Sequence, residues 1–356
     1  MHTPRHRLGP IVLLAAALTL ATACGSSAKA GDAGSTGKTG GSGDQVTLRL
    51  GYLPNVTHAP AIVGLQNKTF ENDLGSGVKL ETSTYNSGTE ETTAILAGSL
   101  DAAFVGPNPA INAYQKSGGS AIRIVSGVAS GGAFLVVKPS ITSPADLKGK
   151  KLATPSLGNT QDVALRSWLA SKGYQTSTEG GGDVDVVPQE NSTTVTAFQT
   201  GAIDGAWVPE PYATKLQDEG GKVLVDEASL WPAGKFVTTN LVVTTKFLGD
   251  HPDIVKNLLK GLISTIDLIK TNPAQAEQLV SQGVEAASGK ALPVDLVKAS
   301  FKSISFTEDP IASSLRKDAA SAKQLGFIDS TDLGDIYDLN LLNQLLQADG
   351  KPAITT

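Results

Sequence analysis

Four short polar loops carry most of the residues of this chain that could do chemistry. Each loop follows a short apolar run that predicts a buried strand, and the loops are Pro54–His58, Gly106–Pro109, Gly158–Gln161 and Pro209–Tyr212. In open α/β sheets such loops lie beyond the carboxyl ends of the strands, where the free N–H groups and dipole of a helix N-terminus favour an anion. The loops therefore predict a cleft that binds a small anion.

The candidate ligand-binding residues are small polar side chains, a glycine, an indole and a carboxylate. They are Asn55, Thr57, His58, Asn108, Ser130, Gly131, Asn159, Thr160, Gln161, Trp207 and Glu210. Asn108 and Asn159 have an alternative role as helix caps, and Trp207 as a core residue. Glu210, between two prolines, either binds a ligand ammonium or hydroxyl or interacts with a helix dipole.

Signals for catalysis are absent from the sequence. There is no Gly-x-Ser-x-Gly elbow, no Gly-rich phosphate loop ending in Lys-Ser or Lys-Thr, and no His-Glu-x-x-His. His58 and Glu210 could form an acid–base pair across a cleft, but their spacing does not require it. Cys24 is the only cysteine, so disulfides and thiolate metal sites are excluded. We expect a protein that is not an enzyme and has no cofactor and no metal.

Two segments about a hundred residues apart share one pattern. Thr93–Val105 and Thr196–Val208 each read as a helix end, a glycine stop, an acidic turn and a buried strand. A second pair, Leu48–Asn55 and Lys151–Thr160, lies at nearly the same offset and reads as a strand that breaks into a loop before a helix. The repetition predicts two lobes built on one strand–loop–helix–strand plan.

The predicted fold is α/β with two lobes, each of which holds a mostly parallel sheet flanked by helices. Residues 46–137 and 239–356 form lobe one, and residues 138–238 form lobe two. The apolar runs Ala133–Val137 and Thr238–Val243 are the expected hinge crossings. Two crossings let the lobes tilt while they stay in register.

The first residues predict export. Residues 1–23 read as a signal peptide, because Arg5 and Arg7 precede an apolar run too short to span a bilayer comfortably. Leu20–Cys24 resembles the lipobox of bacterial lipoproteins, which implies acylation of Cys24, although Ala21 stands where that motif prefers Leu and plain secretory cleavage is the alternative. Residues 24–45 then form a lipid-anchored flexible linker rich in glycine and serine. The net charge of −5 and the lack of a basic stripe beyond the signal peptide argue against nucleic acid.

Several motifs together resemble one family over roughly residues 46–350. They are Gly51–Tyr52, Ala59–Ala61, Leu96–Asp101, Gly106–Ala110, Pro144–Lys150 and Gly201–Trp207. The chain resembles the solute-binding components of nitrate/sulfonate/taurine-type ABC transporters, nearest the aliphatic sulfonate-binding proteins. The resemblance adds Tyr52 to the candidate ligand-binding residues. It implies a two-lobe periplasmic-binding-protein fold with two hinge crossings that closes on its solute, with a permease and its ATPase as partners. Together with the lipobox, it predicts a lipid-anchored monomer on the extracytoplasmic face of the cell membrane.

The ligand class keeps alternatives. An aliphatic sulfonate is the main expectation, but Glu210 is an unexpected carboxylate for a pure sulfonate site, and His58 would suit nitrate, bicarbonate or a heterocycle. A related branch binds thiamine-precursor pyrimidines. A thiamine-precursor synthase shares the fold, but it should carry a His and Cys cluster that this chain lacks.

Overall fold

A computed structural model describes residues 45–356 of the chain. The predicted signal peptide, Cys24 and the linker as far as residue 44 lie outside the described residues. The described part holds two β-sheets, one of six strands and one of five, each flanked by helices. We call the six-stranded sheet with its helices lobe one, and the five-stranded sheet with its helices lobe two.

Lobe one contains strands from both ends of the described chain. Its strands are β1 (Val46–Tyr52), β2 (Val78–Thr84), β3 (Ala102–Val105), β4 (Ile122–Gly131), β10 (Val237–Thr244) and β11 (Ile304–Phe306). Their order across the sheet is β11-β4-β10-β3-β1-β2. β1 pairs in parallel with β2 and β3, whereas β10 pairs antiparallel with β3 and β4.

Lobe two is formed by the middle of the chain. Its strands are β5 (Ala133–Val137), β6 (Lys151–Thr154), β7 (Asp185–Pro188), β8 (Gly205–Pro209) and β9 (Lys222–Asp226). Their order is β7-β6-β8-β5-β9. β6 pairs in parallel with β7 and β8, and β5 pairs antiparallel with β8 and β9.

Two details of the predicted fold are corrected. The sheets are mixed rather than mostly parallel, because the chain leaves lobe one along β4 and returns along β10, so these neighbouring strands must run in opposite directions. Ala133–Val137 belongs to lobe two, where it pairs with β8 and β9, and not to lobe one. The first crossing therefore lies at residues 131–132, and the return crossing precedes Val237.

Thirteen helices cover the two sheets within residues 45–356. They are α1 (Ala59–Gln66), α2 (Thr69–Leu74), α3 (Gly88–Leu96), α4 (Pro107–Lys116), α5 (Thr160–Ser171), α6 (Asn191–Gln199), α7 (Tyr212–Asp218), α8 (Thr245–Asp250), α9 (Pro252–Thr271), α10 (Pro273–Ser288), α11 (Val294–Phe301), α12 (Ala312–Gln324) and α13 (Asn340–Ala348). Helices α5, α6 and α7 lie in lobe two. Helix α9 buries the stripe of Leu258, Leu262 and Ile266 against lobe one, as its apolar periodicity predicts.

The two crossings are bonded to each other. Gly131 N–H donates to the Phe236 carbonyl at 3.3 Å, and Thr238 Oγ1 donates to the Gly131 carbonyl at 2.6 Å. Gly131 has φ +83°, and a Cβ built there would lie 2.6 Å from the Ser303 carbonyl oxygen. Glycine is therefore required at this position both by the backbone conformation and by the close approach of the chain.

Candidate functional site

Two adjoining pockets lie between the lobes, each with an open volume of about 40 Å³. The first is lined by Leu53, Asn55, Thr57, His58, Asn86, Ser87, Gly88, Gly106, Pro109, Pro155, Asn159, Thr160, Gln161, Asn191, Pro209 and Thr238. The second is lined by Leu53, Pro54, Asn55, Tyr85, Asn86, Glu190, Asn191, Ser192 and Tyr212. Because the two share four lining residues, they form one cavity, which we call the cleft.

The loop after β1 places Asn55 and Thr57 in the cleft. The Asn55 Oδ1 atom accepts from the Thr57 N–H at 3.1 Å and from Thr57 Oγ1 at 2.7 Å. Both bonds stabilise the turn that begins here and leave the Asn55 Nδ2 group without a described partner. Asn55 can therefore donate to a ligand oxygen while its own orientation is held by Thr57.

His58 is a neutral donor at this site. Its Nδ1 atom accepts from the Leu53 N–H at 3.2 Å, which leaves the proton on Nε2. Burial lowers the pKa of His58 to about 3, because the imidazolium would lose its hydration. The imidazole can thus donate one hydrogen bond, but it brings no positive charge to the cleft.

Lobe two presents the first turn of α5. Asn159 caps this helix, since its Oδ1 accepts from the Asp162 N–H at 2.9 Å. The N–H groups of Thr160 and Gln161 precede the first possible intrahelical bonds and are free to meet an anion at the positive end of the helix dipole. Deeper in α5, the buried Arg166 guanidinium is neutralised by Asp162 at 2.9 Å.

Sequence reasoning missed the loops that follow β2 and β7. Asn86 and Ser87 precede α3, and Glu190 and Asn191 lie at the start of α6, so both loops reach the cleft. Asn86 Nδ2 donates to Glu190 Oε1 at 3.2 Å across the cleft. The repeated pattern at Thr93–Val105 and Thr196–Val208 could have revealed these loops. Each loop lies only a few residues before one copy of that pattern.

Charge is distributed unevenly along the cleft. Neither pocket has Lys or Arg among its described lining residues. The first pocket offers amide, hydroxyl, imidazole and backbone donors, and the Asn191 Oδ1 atom is buried there without a described partner. The second pocket holds the Glu190 carboxylate beside Tyr85 and Tyr212. One end thus suits an oxyanion and the other suits a cationic or hydroxylated group.

Six of the predicted site residues line the cleft, namely Asn55, Thr57, His58, Asn159, Thr160 and Gln161. Their contact with a ligand stays a prediction. The other six do not line it, and they lie in three kinds of place. Tyr52 and Trp207 are in the cores of lobe one and lobe two, where the Trp207 Nε1–H donates to Glu227 Oε2 at 2.7 Å. Trp207 is fully buried because alternate side chains of β8 face opposite sides of the sheet, and its side faces α5.

The remaining four predicted residues lie at the crossings and in α4, and their contact with a ligand also stays a prediction. Ser130 and Gly131 end β4 at the first crossing, where the Gly131 carbonyl accepts from Thr238 Oγ1. Glu210 is buried beside the first crossing, where its carboxylate accepts from the Thr214 N–H at 3.1 Å and from Thr214 Oγ1 at 3.0 Å. Burial raises the pKa of Glu210. Asn108 is buried in the first turn of α4, with both side-chain atoms unpartnered among the described residues.

Two general features of the described residues bear on function. No group of three or more His, Cys, Asp or Glu within residues 45–356 could hold a metal ion. In the same range, no helix combines the length and apolar character that crossing a membrane requires.

The chain is similar to known binding proteins. It is 28% identical over 217 residues to the taurine-binding periplasmic protein of Escherichia coli (strain K12), a match that covers 60% of this chain and 64% of the relative. The match thus spans just under two thirds of that relative's length. The alkanesulfonate-binding protein of Xanthomonas axonopodis pv. citri, solved with MOPS, superposes with a TM-score of 0.68 at 19% identity and covers 82% of this chain and 97% of its own.

A nitrate-binding protein supports the same fold. The periplasmic nitrate-binding protein of Synechocystis PCC 6803 superposes with a TM-score of 0.71 at 15% identity and covers 85% of this chain and 89% of its own. These likenesses confirm the predicted α/β binding-protein fold and the resemblance to the sulfonate, taurine and nitrate class. All three relatives are named as binding proteins and not as enzymes. Because the profile of the NMT1-like family matches residues 41–283, which is more than half of the sequence, the chain belongs to the NMT1-like family.

Proposed function

We propose that this chain is the extracytoplasmic solute-binding protein of an ABC importer and that it binds a small aliphatic sulfonate in the cleft. A permease and its ATPase are the partners that this role requires. The observation that carries the proposal is the convergence of neutral donors from both lobes, at the starts of α3, α5 and α6, on a cavity that has no Lys or Arg among its described lining residues.

Neutral donors suit a sulfonate for an electrostatic reason. A sulfonate spreads one negative charge over three oxygens, so several N–H and O–H groups can share it without a buried counter-ion. Helix N-termini add positive potential at the same place. A buried Lys or Arg would hold the anion more tightly, but it would also oppose the release that an importer needs. The neutral first pocket therefore fits capture followed by delivery.

The second pocket supports an amino group on the same solute. The Glu190 carboxylate lies at this end of the cleft, and only its Oε1 atom meets a described donor, Asn86 Nδ2. Its exposure to solvent limits its contribution. A solute with a sulfonate at one end and an ammonium at the other, such as taurine, would use both pockets.

Nitrate is a second candidate because of the size of the first pocket. An open volume of about 40 Å³ corresponds to about three ordered waters, which is close to the size of a planar oxyanion with three oxygens. The fold likeness to a nitrate-binding protein agrees with this alternative. Nitrate would leave the second pocket, and therefore Glu190, without a role.

Calorimetric titration of the wild type, Glu190→Gln and the control Glu179→Gln with taurine, isethionate and nitrate separates these ligands. Isethionate replaces the ammonium of taurine with a hydroxyl. Glu179 is exposed and lines neither pocket, so its variant repeats the charge change elsewhere in lobe two. We expect Glu190→Gln to weaken taurine by about threefold to tenfold and isethionate much less, since a partly exposed ion pair contributes about 1 kcal/mol.

Three results would contradict the proposed function. One is binding of nitrate alone, and another is binding of an aminopyrimidine but of no sulfonate. The third is turnover of the bound sulfonate, which would replace the binding function with an enzymatic one. Equal loss of taurine affinity in Glu179→Gln would show that Glu190 acts only through net charge.

A further inference from the structure

Another pocket between the lobes lies apart from the cleft and shares none of the lining residues of the cleft. It has an open volume of about 230 Å³ and lies between α5 of lobe two and α12 of lobe one. Its lining residues are Val163, Ala164, Ser167, Trp168, Ser171, Glu227, Leu230, Trp231, Lys317, Asp318 and Ser321. A hydrogen bond of 3.3 Å between Ser167 and Ser321 joins the two helices at its edge. We call it the α5–α12 pocket.

Two carboxyl groups from opposite lobes face this pocket. Glu227, on the turn after β9, is 2% exposed, and its Oε2 accepts the Trp207 Nε1–H. Asp318, on α12, is 8% exposed and lines the pocket. Unlike Glu227, Asp318 has no side-chain hydrogen bond or ion pair with any residue in 45–356. A buried carboxylate without a partner is costly, so its place on the wall of a cavity indicates a missing partner.

The one ammonium group in the wall is already engaged. Lys317 Nζ donates to the Leu230 carbonyl at 3.0 Å and lies 4.2 Å from the centre of the Trp231 ring. No described ion pair links it to Asp318. Burial and the nearby Glu227 carboxylate both raise the pKa of Asp318, as expected where the local cations do not balance the acids. A cation bound here would take the place of the proton that the raised pKa values of the two acids favour.

The rest of the wall consists of five apolar side chains and three serines. Its apolar part is formed by Val163, Ala164, Trp168, Leu230 and Trp231. A bare metal ion would leave this surface unused, and two carboxyl groups without a third ligand are a poor metal site. An occupant with one positive group and an apolar body would use both kinds of wall.

We propose that the α5–α12 pocket binds a small organic ammonium ion, with its charged group at Asp318 and Glu227 and its apolar body against Trp168 and Trp231. The proposal goes beyond the sulfonate function and does not depend on it. Such an occupant would contact both lobes. It would therefore favour the arrangement in which the lobes meet, and it would strengthen binding in the cleft by linkage.

The test uses benzylamine, which is cationic at neutral pH, and benzyl alcohol, which has the same shape without the charge. Binding to the full chain is followed by tryptophan fluorescence, because the three tryptophans of the sequence are Trp168, Trp207 and Trp231, all in or beside the pocket. We expect saturable binding of benzylamine and binding of benzyl alcohol that is weaker by about tenfold or more.

Three variants locate the effect. Asp318→Asn removes the unpartnered carboxyl group and should lower the affinity for benzylamine towards that for benzyl alcohol, because only Glu227 is left to meet the ammonium group. Ala164→Leu fills the pocket without changing its charge and should weaken both probes. Asp329→Asn repeats the charge change at an exposed position outside the pocket and should leave both affinities unchanged. Circular dichroism establishes that each variant is folded.

Two outcomes would overturn the proposal. Equal affinity of the wild type for benzylamine and benzyl alcohol would show that the positive charge does not contribute to binding. Unchanged benzylamine binding in a folded Asp318→Asn variant, with Ala164→Leu also unchanged, would place the bound probe elsewhere on the chain.

Discussion

Glu227 shows how the folded environment changes the chemistry of a single residue. Nothing around it in the sequence distinguishes it from other surface acids, yet it is buried beneath β8 and holds the Trp207 indole N–H. Burial raises its pKa to about 7 from the usual 4.5. The folded protein therefore binds a proton here that the unfolded chain has already released at pH 6.

This shift predicts that Glu227 makes the protein less stable as pH rises. Below pH 4.5 the carboxyl is protonated in both the folded and the unfolded state, so this group does not make the free energy of unfolding depend on pH. Between pH 4.5 and about 7 the free energy of unfolding should fall by up to about 1.4 kcal/mol per pH unit on account of this group. Denaturant unfolding at several pH values would measure it, with Glu227→Gln as the comparison.

The informative quantity is the difference in the free energy of unfolding between the wild type and Glu227→Gln at each pH. His58 acts in the opposite sense, since its pKa is lowered to about 3 and its contribution to stability is lost as pH falls. Both proteins contain His58, so subtracting the stability of Glu227→Gln from that of the wild type at each pH removes the His58 contribution. A wild-type stability that does not decline relative to the variant between pH 4.5 and 7 would contradict the prediction.

At the scale of elements, the paired crossings determine how the lobes can move. β4 leads directly through Gly131 and Gly132 into β5, and the return segment is bonded to Gly131 on both sides. The lobes meet beyond this hinge through the bonds from Asn86 to Glu190 and between the Thr89 and Ser156 hydroxyls. Those contacts form only when the lobes approach each other.

We therefore expect ligand to favour the closed arrangement. A solute in the cleft contacts both lobes and loses its remaining water only when they meet, so its binding energy depends on closure. Small-angle scattering of the protein should give a smaller radius of gyration with saturating taurine than with sodium chloride at equal ionic strength. An unchanged radius in a sample whose taurine binding has been measured would contradict hinge closure.

At the scale of the whole molecule, we expect Cys24 to set the location of the protein. The cysteine follows the apolar run of the signal peptide and precedes a linker rich in glycine and serine. Acylation at Cys24 would tether the binding lobes to the membrane that holds the importer. The Cys24→Ala variant should appear in the soluble extracytoplasmic fraction, as measured by fractionation and immunoblotting. Its complete retention in salt-washed membranes would contradict the anchor.

The sequence by itself determined the elements and the fold class. Gly98 and Gly201 end helices at matching places, and each is followed by an acidic turn and a buried strand, so the two-lobe plan was readable from local patterns. Capping also acts over a few residues, which is why the start of α5 at Asn159 could be predicted. The loops after β1 and before α5 were identified for the same reason.

Only the tertiary structure decided which polar residues face the cleft. Trp207 and Glu210 are three residues apart near the end of one strand, yet one lies in a core and the other beside a hinge. Asn86 and Glu190 are 104 residues apart in the sequence, yet Asn86 Nδ2 lies 3.2 Å from Glu190 Oε1 where the lobes meet. Side-chain direction and long-range proximity depend on the register of β8 and on the angle between the lobes. Both are set by packing between distant segments, whereas a sequence pattern reports only on near neighbours.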